Sequence, residues 1–185
     1  APRNAEMARR YGEGSVGAAE FCEFYVSTMA GRSLADWRPW CERFLVDVIA
    51  PRIPASARAL VETHRARGER VVMTTATNRV LTELTARHLG IDDLLATEVE
   101  LIDGVCSGRT AGVLNMRDGK VTRLHAWLAD RQLPADALGR ATFYSDSSND
   151  LPLLQAVARP VAVDPDARLR AHALAAGWSV LELAR

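Results

Sequence analysis

From Arg70 to its end, the chain keeps switching its apolar residues between strand and helix spacing, and that alternation limits the fold more than any other feature. A strand over 70–75 leads to a helix through Val80, Leu81 and Leu84 that closes at Gly90. A strand over 95–101, a hairpin turn at Asp103-Gly104 and a partner strand over 109–113 follow. Then come a helix over 120–131, a strand from Ala141, a helix through Leu153 and Leu154, a strand over 160–163, a helix over 166–176 and a last strand over 179–183. Alternation of this kind predicts an α/β protein whose mostly parallel sheet is covered by helices on both faces.

From Ser15 to about Ile49 the pattern is purely helical, and a helix through Leu60, Val61 and His64 that ends at Gly68 precedes the first strand. Ala18, Phe21, Cys22, Tyr25 and Met29 fall on one helical face, which Gly31 ends. Ser33 and Asp36 form a capping-box pattern for a second helix, which is expected to bury Trp37, Cys41, Phe44, Leu45 and Val48 until Pro51 and Pro54 interrupt it. Residues 1–50 therefore read as a helical unit and residues 51–185 as the α/β core. At 185 residues with 48% hydrophobic content, the chain can bury one core with a small appended unit. A formal charge of +0 without blocks of like charge gives no footprint for nucleic acid or an anionic membrane, so a small molecule is the expected partner. The apolar runs are too short to span a bilayer and the first residues lack a signal pattern, which leads us to expect a cytoplasmic protein. Cys22, Cys41 and Cys106 are odd in number and widely spaced, as idle thiols would be.

Three places carry chemistry. The run Phe143-Tyr144-Ser145-Asp146-Ser147-Ser148-Asn149-Asp150 delivers two carboxylates and an amide from a strand end into a small-residue turn before a helix. Few carboxylates completed by waters suit Mg²⁺ better than a transition metal; an Asn/Asp cap without chemistry is the alternative reading. Val71-Val72-Met73-Thr74-Thr75-Ala76-Thr77-Asn78 likewise ends a strand in small donors before a helix, where an anion could sit, or where Thr or Asn merely caps. Lys120 follows Asp118-Gly119 at a helix start, a poor place for a cation, which points to neutralisation of a bound anion; a merely solvated surface lysine is the alternative reading.

In this order the three signals resemble the haloacid dehalogenase-like (HAD) phosphohydrolases, subfamily IB, the branch similar to phosphoserine phosphatase. Thr75 matches the second family motif, Lys120 the third, and Asp146, Asn149 and Asp150, followed by Leu151-Pro152-Leu153, the fourth. The stretch from Ala96 through Gly108 resembles the hairpin that precedes the lysine in this branch. The resemblance implies a HAD-like Rossmannoid parallel sheet core with a helical C1-type cap, and a phosphoric monoester hydrolase acting on a small phosphorylated metabolite. It also implies that Thr75 binds phosphoryl oxygens, Lys120 offsets their charge, Asp146 binds Mg²⁺, and Asn149 and Asp150 organise loop and lysine. Ala76, Thr77 and Asn78 would offer substrate donors, and Thr75, Lys120 and Asp146 are expected to converge on one pocket.

The family's first motif, D-x-D-x-T, is absent from the 185 residues. In the family its strand lies between the one ending at Thr75 and the one ending at Asp146. Omitting a central strand leaves costly unpaired backbone groups, so we expect a nucleophile-bearing segment outside these residues. The alternative is an inactive phosphometabolite-binding or regulatory protein of the same fold. The cap pattern of phosphoserine phosphatases is not reproduced around Met29-Ala30-Gly31-Arg32, which leaves phosphoserine as one candidate substrate among several. Arg32, Arg38 and Arg43 read as solvated, and His64, His88, His125 and His172 as structural or surface groups. A nucleotide-binding domain is disfavoured because neither G-x-G-x-x-G nor G-x-x-x-x-G-K-[ST] occurs.

Overall fold

A computed structural model describes residues 2–13 and 15–183. The chain divides into two compact units, residues 1–53 with 68–115 and residues 54–67 with 116–185.

The first unit holds helices α1 (Pro2–Gly12), α2 (Ala18–Ser27) and α3 (Leu34–Phe44), then strand β1 (Val72–Asn78), helix α5 (Arg79–His88) and strands β2 (Asp93–Ile102) and β3 (Val105–Ala111). Helix α1 precedes the apolar pattern read from Ser15; it buries Met7, stacks Tyr11 on Phe21, and pairs Arg9 with Glu6 and Glu13. The capping box at α3 forms, with Ser33 and Asp36 exchanging hydrogen bonds. Its expected apolar face is only partly buried: Cys41 is enclosed, whereas Phe44 is exposed, and a π-helical turn over Leu45–Ile49 breaks the helical phase beyond it. The strands form one sheet in the order β1-β2-β3, with β1 parallel and β3 antiparallel to β2. Asp103 and Gly104 both take positive φ, as a two-residue hairpin requires, so β3 starts immediately after the turn rather than at Arg109.

The chain between α2 and α3 docks on this hairpin. Gly31 N–H donates to the Cys106 carbonyl, Cys106 N–H to the Arg32 carbonyl, and Ser33 bridges Val105. The approach is close at Gly108, where φ is +87° and an added Cβ would lie 2.8 Å from the Ala30 Cβ. Gly108→Ala is therefore expected to cost about 1–3 kcal/mol, measured by urea unfolding. A loss below a few tenths of a kcal/mol would show that the contact gives way freely.

The second unit contains α4 (Ala55–Ala66), α6 (Asp118–Asp130), β4 (Thr142–Ser145), α7 (Leu151–Ala156), β5 (Arg159–Val163), α8 (Ala167–Ala176) and β6 (Ser179–Leu181). Its sheet is parallel throughout, in the order β4-β5-β6. Leu154, Ala162, Leu169 and Ala173 form the fully buried centre, with Phe143, Leu151, Trp178 and Val180 packed against it. His64 on α4 meets the Tyr144 hydroxyl at 2.8 Å. The α/β class is as expected, and every strand pairing but β2–β3 is parallel. The strands nevertheless form two three-stranded sheets rather than one, because among the described residues β1 pairs only with β2 and β4 only with β5. No helix among the described residues is long and apolar enough to cross a membrane.

Candidate functional site

The chemistry-bearing residues form one group in each unit. In the first, Thr75, Ala76, Thr77 and Asn78 end β1. Pairing with β2 runs through Thr75↔Ala96 and resumes at Asn78↔Thr97, so Ala76 and Thr77 bulge out of register. The Thr75 hydroxyl, half-buried, accepts from the Thr77 N–H at 3.2 Å. Asn78 is buried and caps α5, its Oδ1 accepting from the Leu81 N–H at 3.1 Å. A cation at the next position opposes the helix dipole, but Arg79 is occupied: it grips Glu98 at 2.8–2.9 Å through two nitrogens and donates to the Leu94 carbonyl at 2.9 Å. Hydrogen bonding to Glu98 pushes the Arg79 guanidinium further above its usual range, outweighing the opposing effect of burial.

The second group is built around Lys120 in the first turn of α6. Lys120 is 5% exposed, and its ammonium lies 2.7 Å from both oxygens of Asp150, itself 8% exposed. Ser145 donates to the same carboxylate at 2.8 Å and accepts the Ser147 N–H at 3.2 Å. A lysine that would otherwise be both buried and at the wrong end of a helix is thereby neutralised. The Asn149 N–H donates to the Ser147 hydroxyl at 3.2 Å, tightening the turn. Ser145 is the member that sequence reasoning missed; its only signal was a hydroxyl residue at the strand end directly before Asp146.

Two other carboxylates border the turn, and they behave differently. Asp166 caps α8, accepting the Leu169 N–H at 2.8 Å, and also receives the Ser148 N–H at 2.7 Å. Burial raises its pKa, but these N–H groups outweigh that and hold the carboxyl below its usual value. A depressed folded-state pKa means that Asp166 contributes stability above about pH 4, its unfolded value, and loses it as pH falls through the folded one. Asp166→Ala is expected to cost about 1 kcal/mol at neutral pH in urea unfolding, with the gap to wild type closing in acid. A gap that widens in acid would contradict the assignment.

Asp146, by contrast, is exposed, and its carboxylate has no hydrogen-bond or ion-pair partner among the described residues. Among those residues no three His, Cys, Asp or Glu side chains gather into a metal cage. One uncommitted carboxylate at a turn fits a hard cation that keeps several waters, as Mg²⁺ does, and does not fit tetrahedral zinc. The three cysteines are buried and form no disulfide, and burial raises each thiol's pKa; Cys22 is not idle, since its sulfur lies 3.6 Å from the Ala76 carbonyl.

Residues 3–155 match the family model described as haloacid dehalogenase-like hydrolase. A histidinol-phosphatase of Neisseria meningitidis is 34% identical over 97% of this chain and 81% of its own length. A phosphoserine phosphatase of Mycobacterium tuberculosis is 38% identical over 81% of this chain, which spans only 48% of that protein. Among solved structures, a protein of unknown function from Bordetella pertussis superposes with a TM-score of 0.91 at 40% identity, covering 97% of this chain and 81% of that one.

Proposed function

We propose that this chain, a member of the haloacid dehalogenase-like hydrolases in their phosphoserine phosphatase-like branch, works as a Mg²⁺-dependent phosphatase on a small phosphomonoester, through an aspartyl-phosphate formed outside these 185 residues. The observation that supports this most is the division of labour around β4: Asp150 and Ser145 hold a buried Lys120, while the neighbouring Asp146 is left uncommitted. Phosphoryl transfer asks a protein chiefly for positioning and charge neutralisation, and these residues suit that demand.

In this reading the Thr75 hydroxyl donates to a phosphoryl oxygen, and the Ala76 and Thr77 N–H groups together with the Asn78 amide supply further donors. Lys120 carries the positive charge that offsets the phosphoryl oxygens and the nucleophile, with Asp150 fixing its ammonium. Asn149 holds the turn. Asp146 would hold Mg²⁺, which when bound polarises the phosphoryl group and lowers the repulsion met by the incoming nucleophile. Residues 1–50 would act as the cap that admits a small phosphorylated metabolite, and histidinol phosphate and phosphoserine are the first substrates to try. Phosphate release from these two and a chromogenic phosphomonoester, by the full-length protein with Mg²⁺ or with chelator, tests the reading. Release that requires Mg²⁺ supports it; no release from any substrate favours the inactive binding protein, a reading motivated by the absence of D-x-D-x-T from these residues.

A further inference from the structure

Ala76 and Thr77 bulge out of register with β2, and the Thr75 and Ala76 carbonyls at the start of the bulge take side-chain donors. Two fully buried residues supply the closest of these, and the buried Cys22 thiol also lies 3.6 Å from the Ala76 carbonyl. Asn115, which follows β3, donates from Nδ2 to the Thr75 carbonyl at 2.8 Å, and Thr97 donates from its hydroxyl to the Ala76 carbonyl at 2.8 Å. They are joined, because the Asn115 N–H donates to the Thr97 hydroxyl at 3.3 Å. The same Nδ2 lies 2.8 Å from the Leu95 carbonyl on β2 and 2.9 Å from the Thr74 hydroxyl.

The orientation of the Asn115 amide is fixed by chemistry. Turned over, it would press Oδ1 against two carbonyl oxygens that can only accept. As it stands, Oδ1 is buried without a partner among the described residues. The amide is thus committed through Nδ2, which reaches the end of β1 and the neighbouring β2.

A trans peptide is planar, with its C=O and N–H pointing opposite ways. Holding the Thr75 and Ala76 carbonyls inward therefore turns the Ala76 and Thr77 N–H groups outward. The second of these already lies against the Thr75 hydroxyl at 3.2 Å. We infer that Asn115, acting with Thr97, is a positioning residue that presets these donors for the substrate phosphoryl group before it arrives, an inference that rests on the phosphatase reading above. Preset donors strengthen transition-state binding because no reorganisation is needed at the moment of reaction.

The test is steady-state kinetics of the full-length protein carrying Asn115→Ala, Thr97→Val or Thr97→Ser. Misplaced donors should lower kcat by roughly 10²-fold in Asn115→Ala and by about tenfold in Thr97→Val, with KM changing less than about threefold in each. Thr97→Ser keeps the hydroxyl and should return kcat to within about threefold of wild type. If Asn115→Ala does not fold, the Thr97 pair decides. A folded Thr97→Val with wild-type kcat, or a Thr97→Ser as slow as Thr97→Val, overturns the inference. If the wild-type protein hydrolyses no substrate, the phosphatase reading fails by itself, and amide exchange in the ligand-free protein then decides the positioning role. Faster exchange at Thr77 in Thr97→Val, restored in Thr97→Ser and without change along β3, would uphold it, and unchanged exchange at Thr77 would overturn it.

Discussion

Lys120→Met should reduce phosphate release by at least about 10³-fold while also lowering stability by roughly 3 kcal/mol. The two losses share one cause. Lys120 is 5% exposed and its ammonium sits on both oxygens of Asp150, so its removal strands a buried carboxylate with Ser145 as its remaining side-chain donor among the described residues. A second change, Asp150→Asn, should therefore recover much of the stability of Lys120→Met but none of its activity. Urea unfolding of the single and double variants separates the terms. If Lys120→Met unfolds at the wild-type urea concentration, the pair is not the buried contact described here.

Asp146→Asn should behave in the opposite way. The side chain is exposed and its carboxylate makes no hydrogen bond or ion pair with the described residues, so stability should stay within about 0.5 kcal/mol of wild type. Phosphate release should nevertheless fall by at least about 10³-fold, and raising the Mg²⁺ concentration should recover part of it. Lys120 and Asp146 would thus give the same catalytic phenotype with contrasting stabilities. A large stability loss in Asp146→Asn would mean that the carboxylate is a structural group.

Local chemistry explains why some of this could be read from the sequence. Asp103-Gly104 predicts its hairpin because both residues tolerate positive φ. Lys120 stood out because a lysine at a helix start contradicts the dipole, and Asp150 resolves the contradiction. What stayed hidden depends on contacts across the chain. Asn115 reaches Thr74, 41 positions earlier, and nothing in Val113-Leu114-Asn115-Met116 indicates that its amide will hold a strand end. Asn78 looked like a substrate donor and a cap alike; half of its amide is spent on the cap. The apolar face of α3 was legible as a pattern, but periodicity does not say how much of that face a neighbour covers, and Phe44 remains exposed.

The most direct measurement is Mg²⁺-dependent phosphate release by the full-length protein, with wild type, Lys120→Met and Asp146→Asn assayed side by side on one substrate. The account predicts turnover in the wild type and its near-complete loss in both variants, each still folded. Turnover that survives both substitutions would contradict it.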